Sequence, residues 1–173
     1  THLRTAQEPG RTSCQGMGFM GNVSQAIDQS LSEERLQNHT VTLGDENPAL
    51  FFSDMHFGDG SHSDLFSTHD ELFLQLLETR LTPDTNIVFL GDCIDLPQAW
   101  TVSSVKSAHN RAIKTISRLC QTHKVIFIRG NHDWNVDYES LFPGSTCCER
   151  VIFGDKTLIW HGHQLDLMRN PAL

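Results

Sequence analysis

Four apolar runs in this sequence each end in a polar cluster. Residues 49–53 lead to Asp54-Met55-His56, and residues 87–90 lead to Gly91-Asp92-Cys93-Ile94-Asp95. Residues 125–129 lead to Gly130-Asn131-His132-Asp133, and residues 157–160 lead to His161-Gly162-His163. Carboxylate oxygens, an amide oxygen and imidazole nitrogens together suit divalent ions such as Mn, Fe, Zn or Ni, with Mn the first expectation. Asp54 and His56 stand two residues apart, so an extended strand end would point both the same way and let them share one ion. Asp92 has two oxygens and can bridge two ions. Asn131 offers a neutral oxygen and His161 a nitrogen to the second. Two such ions, about 3.5–4 Å apart, can clamp a phosphoryl group and activate a water. His132 directly follows a candidate ligand, and sequence neighbours rarely bind the same ion. It is therefore read as the general acid that protonates the leaving alkoxide. Either Asp95 or Asp133 can hold its imidazole and keep it protonated near neutral pH.

Other polar residues have plainer readings. Asp59 and Asp64, after the first cluster, face the cleft or solvent. His163 reads as a neighbour of the site, and Asp166 and Arg169 as a solvated loop. His62, His69, His109 and His123 read as surface or helix residues. Cys93 alternates away from Asp92 and reads as a small buried hydrophobe.

These clusters need a scaffold that brings strand ends together. Val23, Ala26, Ile27, Leu31 and Leu36 recur at helical spacing, which predicts an amphipathic helix over 23–37. Residues 49–53, 87–90 and 125–128 read as buried strands, and 151–153 with 157–160 as a pair joined at Gly154-Asp155. Ser67-Thr68-His69-Asp70 supplies cap residues ahead of a helical stripe at Leu72, Phe73, Leu76 and Leu77. Apolar positions from Val102 to Leu119 predict one long helix, and Tyr138 to Phe142 a short one ended by Pro143-Gly144. Strand, helix, strand, helix, strand is the pattern of an α/β layered fold. In such sheets, ligands sit beyond the carboxyl ends of the strands, where all four clusters fall.

Bulk composition narrows the classes. With 173 residues, 38% hydrophobic and 20% charged, the chain suits one globular domain. A net charge of −8 with only 13 Lys and Arg argues against a binder of nucleic-acid backbones. A small phosphorylated substrate remains compatible, because bound divalent ions would invert the local field. No apolar run reaches transmembrane length, and no secretory leader is visible. The five cysteines, Cys14, Cys93, Cys120, Cys147 and Cys148, fit no zinc spacing and read as reduced thiols in a cytoplasmic protein.

Taken together, Asp54-x-His56, Gly91-Asp92-x-x-Asp95, Gly130-Asn131-His132-Asp133 and His161-Gly162-His163 resemble four ordered blocks of the calcineurin-like metallophosphoesterase superfamily. The resemblance implies a four-layer α/β/β/α sandwich and a phosphatase, phosphodiesterase or pyrophosphohydrolase. It implies Asp54 and His56 on one ion, Asp92 bridging, and Asn131 and His161 on the other. It also implies His132 as proton donor paired with Asp95, and Asp133 supporting the turn. Residues 1–40 then form a lead-in with its helix, and 41–173 the metallophosphoesterase domain. The family's fifth block, Gly-His-x-His, is missing: Gly162-His163 is followed by Gln164-Leu165. The expectation is a domain incomplete at its C-terminus. The wording around the blocks is also similar to bacterial UDP-diacylglucosamine pyrophosphohydrolases, which carry Arg where this chain has His132. The rival expectation is a non-catalytic member of the fold kept for protein binding; the intact blocks favour the enzyme. A nuclease is a third option, lowered by the acidic balance.

Overall fold

A computed structural model describes residues 40–163 of the chain. The expected helix over 23–37, Cys14, Asp166 and Arg169 lie outside the described residues.

The central strands form where the sequence is continuously apolar. β3 (Asn86–Leu90) and β4 (Val125–Ile128) lie between β2 (Ala49–Phe52) and β5 (Thr146–Cys148) in a four-stranded sheet of order β2-β3-β4-β5. Each neighbouring pair is parallel. A parallel strand pair needs a crossover, which here runs through helices. α1 (Asp70–Arg80) links β2 to β3. α2 (Leu96–Ala99), α3 (Val102–Ala108) and α4 (Asn110–Leu119) link β3 to β4, and α5 (Tyr138–Leu141) links β4 to β5. All carboxyl ends therefore open on one edge of the sheet.

Alternation along β3 and β4 divides the core in two. Ile87, Phe89, Val125 and Phe127 point to the helices, while Val88, Ile126 and Ile128 point the other way. Every described helix buries apolar residues in the first cluster: Phe73 and Leu77 of α1, Ala99 of α2, Val105 of α3, Ile113 and Ile116 of α4, Tyr138 of α5. The second cluster joins this sheet to Leu43 and Val151 of a second sheet, with strands β1 (Thr40–Leu43), β6 (Arg150–Phe153) and β7 (Thr157–Trp160) in the order β1-β6-β7. β6 runs parallel to β1 and antiparallel to β7. Helices, parallel sheet and mixed sheet are thus stacked layers of the α/β/β/α arrangement.

The structure differs from the sequence reading in several places. β1 and β5 are strands that no apolar run announces; each is held by pairing with β6 or β4. α2 is a single turn started by Asp95, whose side chain accepts the Gln98 N–H. The helix start at Asp70 has His69 at its cap position with no side-chain cap bond, and the Asp70 carboxylate binds His109. Finally, the long helix expected from Val102 to Leu119 bends at His109, whose φ of −105° and ψ of 38° leave the helical range. Backbone bonds from His109 N to Val105 O and from Ile113 N to His109 O continue through the bend. His109 is not a surface residue: it is buried, with Asp64 and Asp70 each 2.8 Å from one ring nitrogen.

Candidate metal centre

β2 stops at Phe52, before the first polar cluster, and the chain beyond it is not an extended strand. Asp54 and His56 both adopt left-handed backbone, with φ of 52° and 47°, and Asp92 follows at 48° after Gly91 at 91°. Such backbone is unfavourable for most side chains, though Asp and His tolerate it better than β-branched residues. Here two loops over-determine it. Asp54 N donates to Gly91 O, His56 N to Asp92 O at 2.9 Å, Phe57 N to Cys93 O at 2.9 Å, and Asp95 N to Phe57 O at 3.0 Å. The loops after β2 and β3 are thereby laced together. Left-handed positions held this firmly concentrate at functional sites.

The lacing gathers the side chains. His56 Nε2 stands 3.9 Å from both Asp54 Oδ1 and Asp92 Oδ2. His161 Nε2 stands 3.6 Å from Asp54 Oδ1 and 3.4 Å from Asp92 Oδ2. Two donor groups result, each with one ligand atom per residue within 4.8 Å of the others: Asp54, Asp92 and His161, and His56, Asp92 and His132. Asp92 belongs to both. This grouping sets Asp54 beside His161 and His56 beside His132. Oxygen and imidazole donors in such groups fit divalent cations.

Asp92 also anchors the third loop. Its Oδ1 accepts the His132 N–H at 2.8 Å, while Oδ2 faces His56 and His161. Asn131, half-buried, lies between Gly130 and His132 on that loop. Glycine is required at two points of close approach. A side chain at Gly130 would collide with the Asp92 carboxylate, and one at Gly91 with the His161 ring. Burial alone would raise the Asp92 pKa, but the hydrogen bond from His161, the His132 N–H and both imidazole charges outweigh it and hold it at about 2. The Asp92 hydrogen bond in turn raises His161 above the usual histidine range, against its partial burial. His163 is lowered by burial and by His161, whose Nδ1 lies 3.1 Å from its own.

Two further carboxylates support the loops. Asp133 is fully buried and accepts from Gly130 N, Cys93 N and the Tyr138 hydroxyl, at 2.7, 2.8 and 2.5 Å. Asp95, not Asp133, holds His132: its Oδ1 lies 2.8 Å from His132 Nδ1. Its Oδ2 lies 3.1 Å from His56 Nδ1, a contact the sequence did not suggest. Cys93 is 1% exposed, as its alternation predicts. Sequence reasoning also missed Gln98, whose amide nitrogen donates to Asp59 Oδ1 at 2.6 Å and whose oxygen accepts the Asp59 N–H at 3.0 Å. It missed the role of Asp64, which is buried and accepts from Gly60 N, Phe66 N and His109. Neither had a signal in the sequence, because Gln98 meets Asp59 across 39 residues and Asp64 meets His109 across 45.

A layered α/β fold gathers carboxylates and imidazoles beyond a parallel sheet as candidate ligands for divalent metals. The chain belongs to the calcineurin-like phosphoesterase family, whose family description matches residues 48–167. That family is one of metal-dependent phosphoester hydrolases. Among solved structures, the chain is similar to the nuclease MPE of Pseudomonas putida, at 21% identity and a TM-score of 0.42, over 61% of this chain and 47% of that one. It is also similar to a protein of unknown function from Aquifex aeolicus, at 19% identity and a TM-score of 0.41, over 59% of this chain and 52% of that one. The chain thus spans about half the length of these two. No curated protein matches it. Among the described residues, no helix is long and apolar enough to cross a membrane.

Proposed function

We propose that this chain carries the dinuclear metal site of a hydrolase that cuts a phosphoester or pyrophosphate bond in a small phosphorylated substrate. The observation that carries the reading is Asp92, a carboxylate 4% exposed whose Oδ2 faces the imidazoles of both His56 and His161. Asp54, His56, Asp92, Asn131 and His161 would hold the ions, with Asp92 shared and Mn the first expectation. Once bound, a divalent pair supplies charge neutralisation at the phosphoryl group and a more acidic water.

The rest is done by the chain itself. His132 donates a proton from Nε2 to the leaving oxygen, while Asp95 keeps its Nδ1 engaged at 2.8 Å. Asp92 and Asp133 hold the His132 loop in place through the His132 and Gly130 N–H groups. Residues 41–173 form the metallophosphoesterase domain on this reading and 1–40 a lead-in. Free thiols at Cys93, Cys120, Cys147 and Cys148 support a reducing, cytoplasmic setting.

The test is Asp92→Asn in the full chain. Hydrolysis of mono- and bis-p-nitrophenyl phosphate with Mn, and Mn binding by calorimetry, are both expected to be abolished. Unchanged turnover in the variant overturns the proposal.

A further inference from the structure

We infer that Asp95 is a shared positioning carboxylate, one oxygen holding the imidazole of His56 and the other that of His132, so that a single residue sets the tautomer of both. The assignment of His56 as ligand and His132 as acid rests on the proposed function; the tautomers do not.

The geometry is direct. His56 Nδ1 lies 3.1 Å from Asp95 Oδ2, and His132 Nδ1 lies 2.8 Å from Asp95 Oδ1. An ionised carboxylate only accepts hydrogen bonds, so each facing nitrogen must carry its hydrogen. A neutral imidazole with a hydrogen on Nδ1 has its lone pair on Nε2. In His56 that nitrogen faces Asp54 and Asp92, each 3.9 Å away, which is where a ligand lone pair is needed. In His132 it leaves Nε2 as the atom that can gain and give a proton.

Asp95 is itself immobilised. It is 8% exposed, its backbone N–H donates to Phe57 O at 3.0 Å, and its Oδ1 also accepts the Gln98 N–H at the start of α2. The two rings meet edge to face with centroids 4.8 Å apart. Groups that orient a metal-binding histidine from behind typically change metal affinity by about 10–100-fold when removed.

Asp95→Asn separates this role from a structural one. Asn is as good a helix cap as Asp, so α2 keeps its start. A carboxamide, however, accepts at one atom and donates at the other, so it satisfies only one of the two Nδ1–H groups. The other imidazole then faces an N–H and must move its hydrogen to Nε2.

Isotope-edited NMR of the histidine ring nitrogens is read on the full, metal-free chain at alkaline pH, where imidazoles are neutral. His56 and His132 are both expected as Nδ1–H in the native chain, and only one of them in Asp95→Asn. Either ring found as Nε2–H in the native chain overturns the inference. Calorimetric titration with Mn provides the second readout. Asp95→Asn is expected to weaken Mn binding about 10–100-fold. Unchanged Mn affinity in Asp95→Asn overturns a role through His56. A native chain that binds no Mn overturns the proposed function instead, and the NMR result still decides the tautomers.

Discussion

Asp64 keeps its charge inside the protein because donors surround it. Burial pushes its carboxyl up, but the Gly60 N–H, the His109 imidazole and the Phe66 N–H outweigh that and hold it below the usual carboxylate range. A depressed carboxyl adds stability above its unfolded value, near pH 3.9 for Asp. That stability is lost as pH falls through the lower folded value, because there the unfolded chain binds more protons. Unfolding curves in acid should therefore steepen with falling pH in the native chain, and Asp64→Asn should flatten this limb. The same variant should be less stable at neutral pH by about 1–3 kcal/mol, since an amide cannot accept all three bonds. Identical acid limbs in the two proteins would contradict the assignment. None of this was legible in the sequence. His109 lies 45 residues from Asp64, and its helical neighbours gave it the pattern of a surface position.

At the scale of elements, the apolar runs were the reliable signal. Val125–Ile128 is a strand over the residues expected, because its four apolar side chains are buried on both faces of a parallel sheet. Phe127 is its centre. Its ring stacks on Phe89 at 4.8 Å, on Tyr138 at 4.2 Å and on Phe142 at 5.2 Å, joining β3, β4 and α5. Phe127→Ala should lower unfolding stability by about 3–5 kcal/mol, with a large cavity and little room to collapse. Urea denaturation measures it as a lower midpoint at unchanged slope. A midpoint equal to the native chain's would mean that the stack is not where the core is held. Elements without an apolar run were hidden. β1 and β5 become strands only when β6 and β4 lie beside them. The bend between α3 and α4 coincides with a buried histidine that an apolar stripe cannot reveal.

Across the whole molecule, the fold crowds Asp54, Asp92 and Asp95 against three imidazoles at the edge of one sheet. Cations that bind the folded chain and not the unfolded one must stabilise it, by about 2.7 kcal/mol when present at a hundredfold excess over Kd. Thermal unfolding of the native chain should therefore shift upward with Mn and return with chelator, and Asp92→Asn should lose the shift. A Tm indifferent to Mn would contradict a site assembled by the fold. The sequence by itself determined which residues could do the chemistry and that each follows an apolar run. Both are local properties: donor type belongs to the residue, and a run of consecutive apolar side chains marks a strand buried on both faces. Only the tertiary structure decided that the carboxylate holding His132 also reaches His56, and that Asp54 falls beside His161. Those partners are 37 to 39 residues apart for Asp95. Their meeting depends on the register of parallel strands and on left-handed turns at Asp54, His56 and Asp92, which side-chain pattern does not encode.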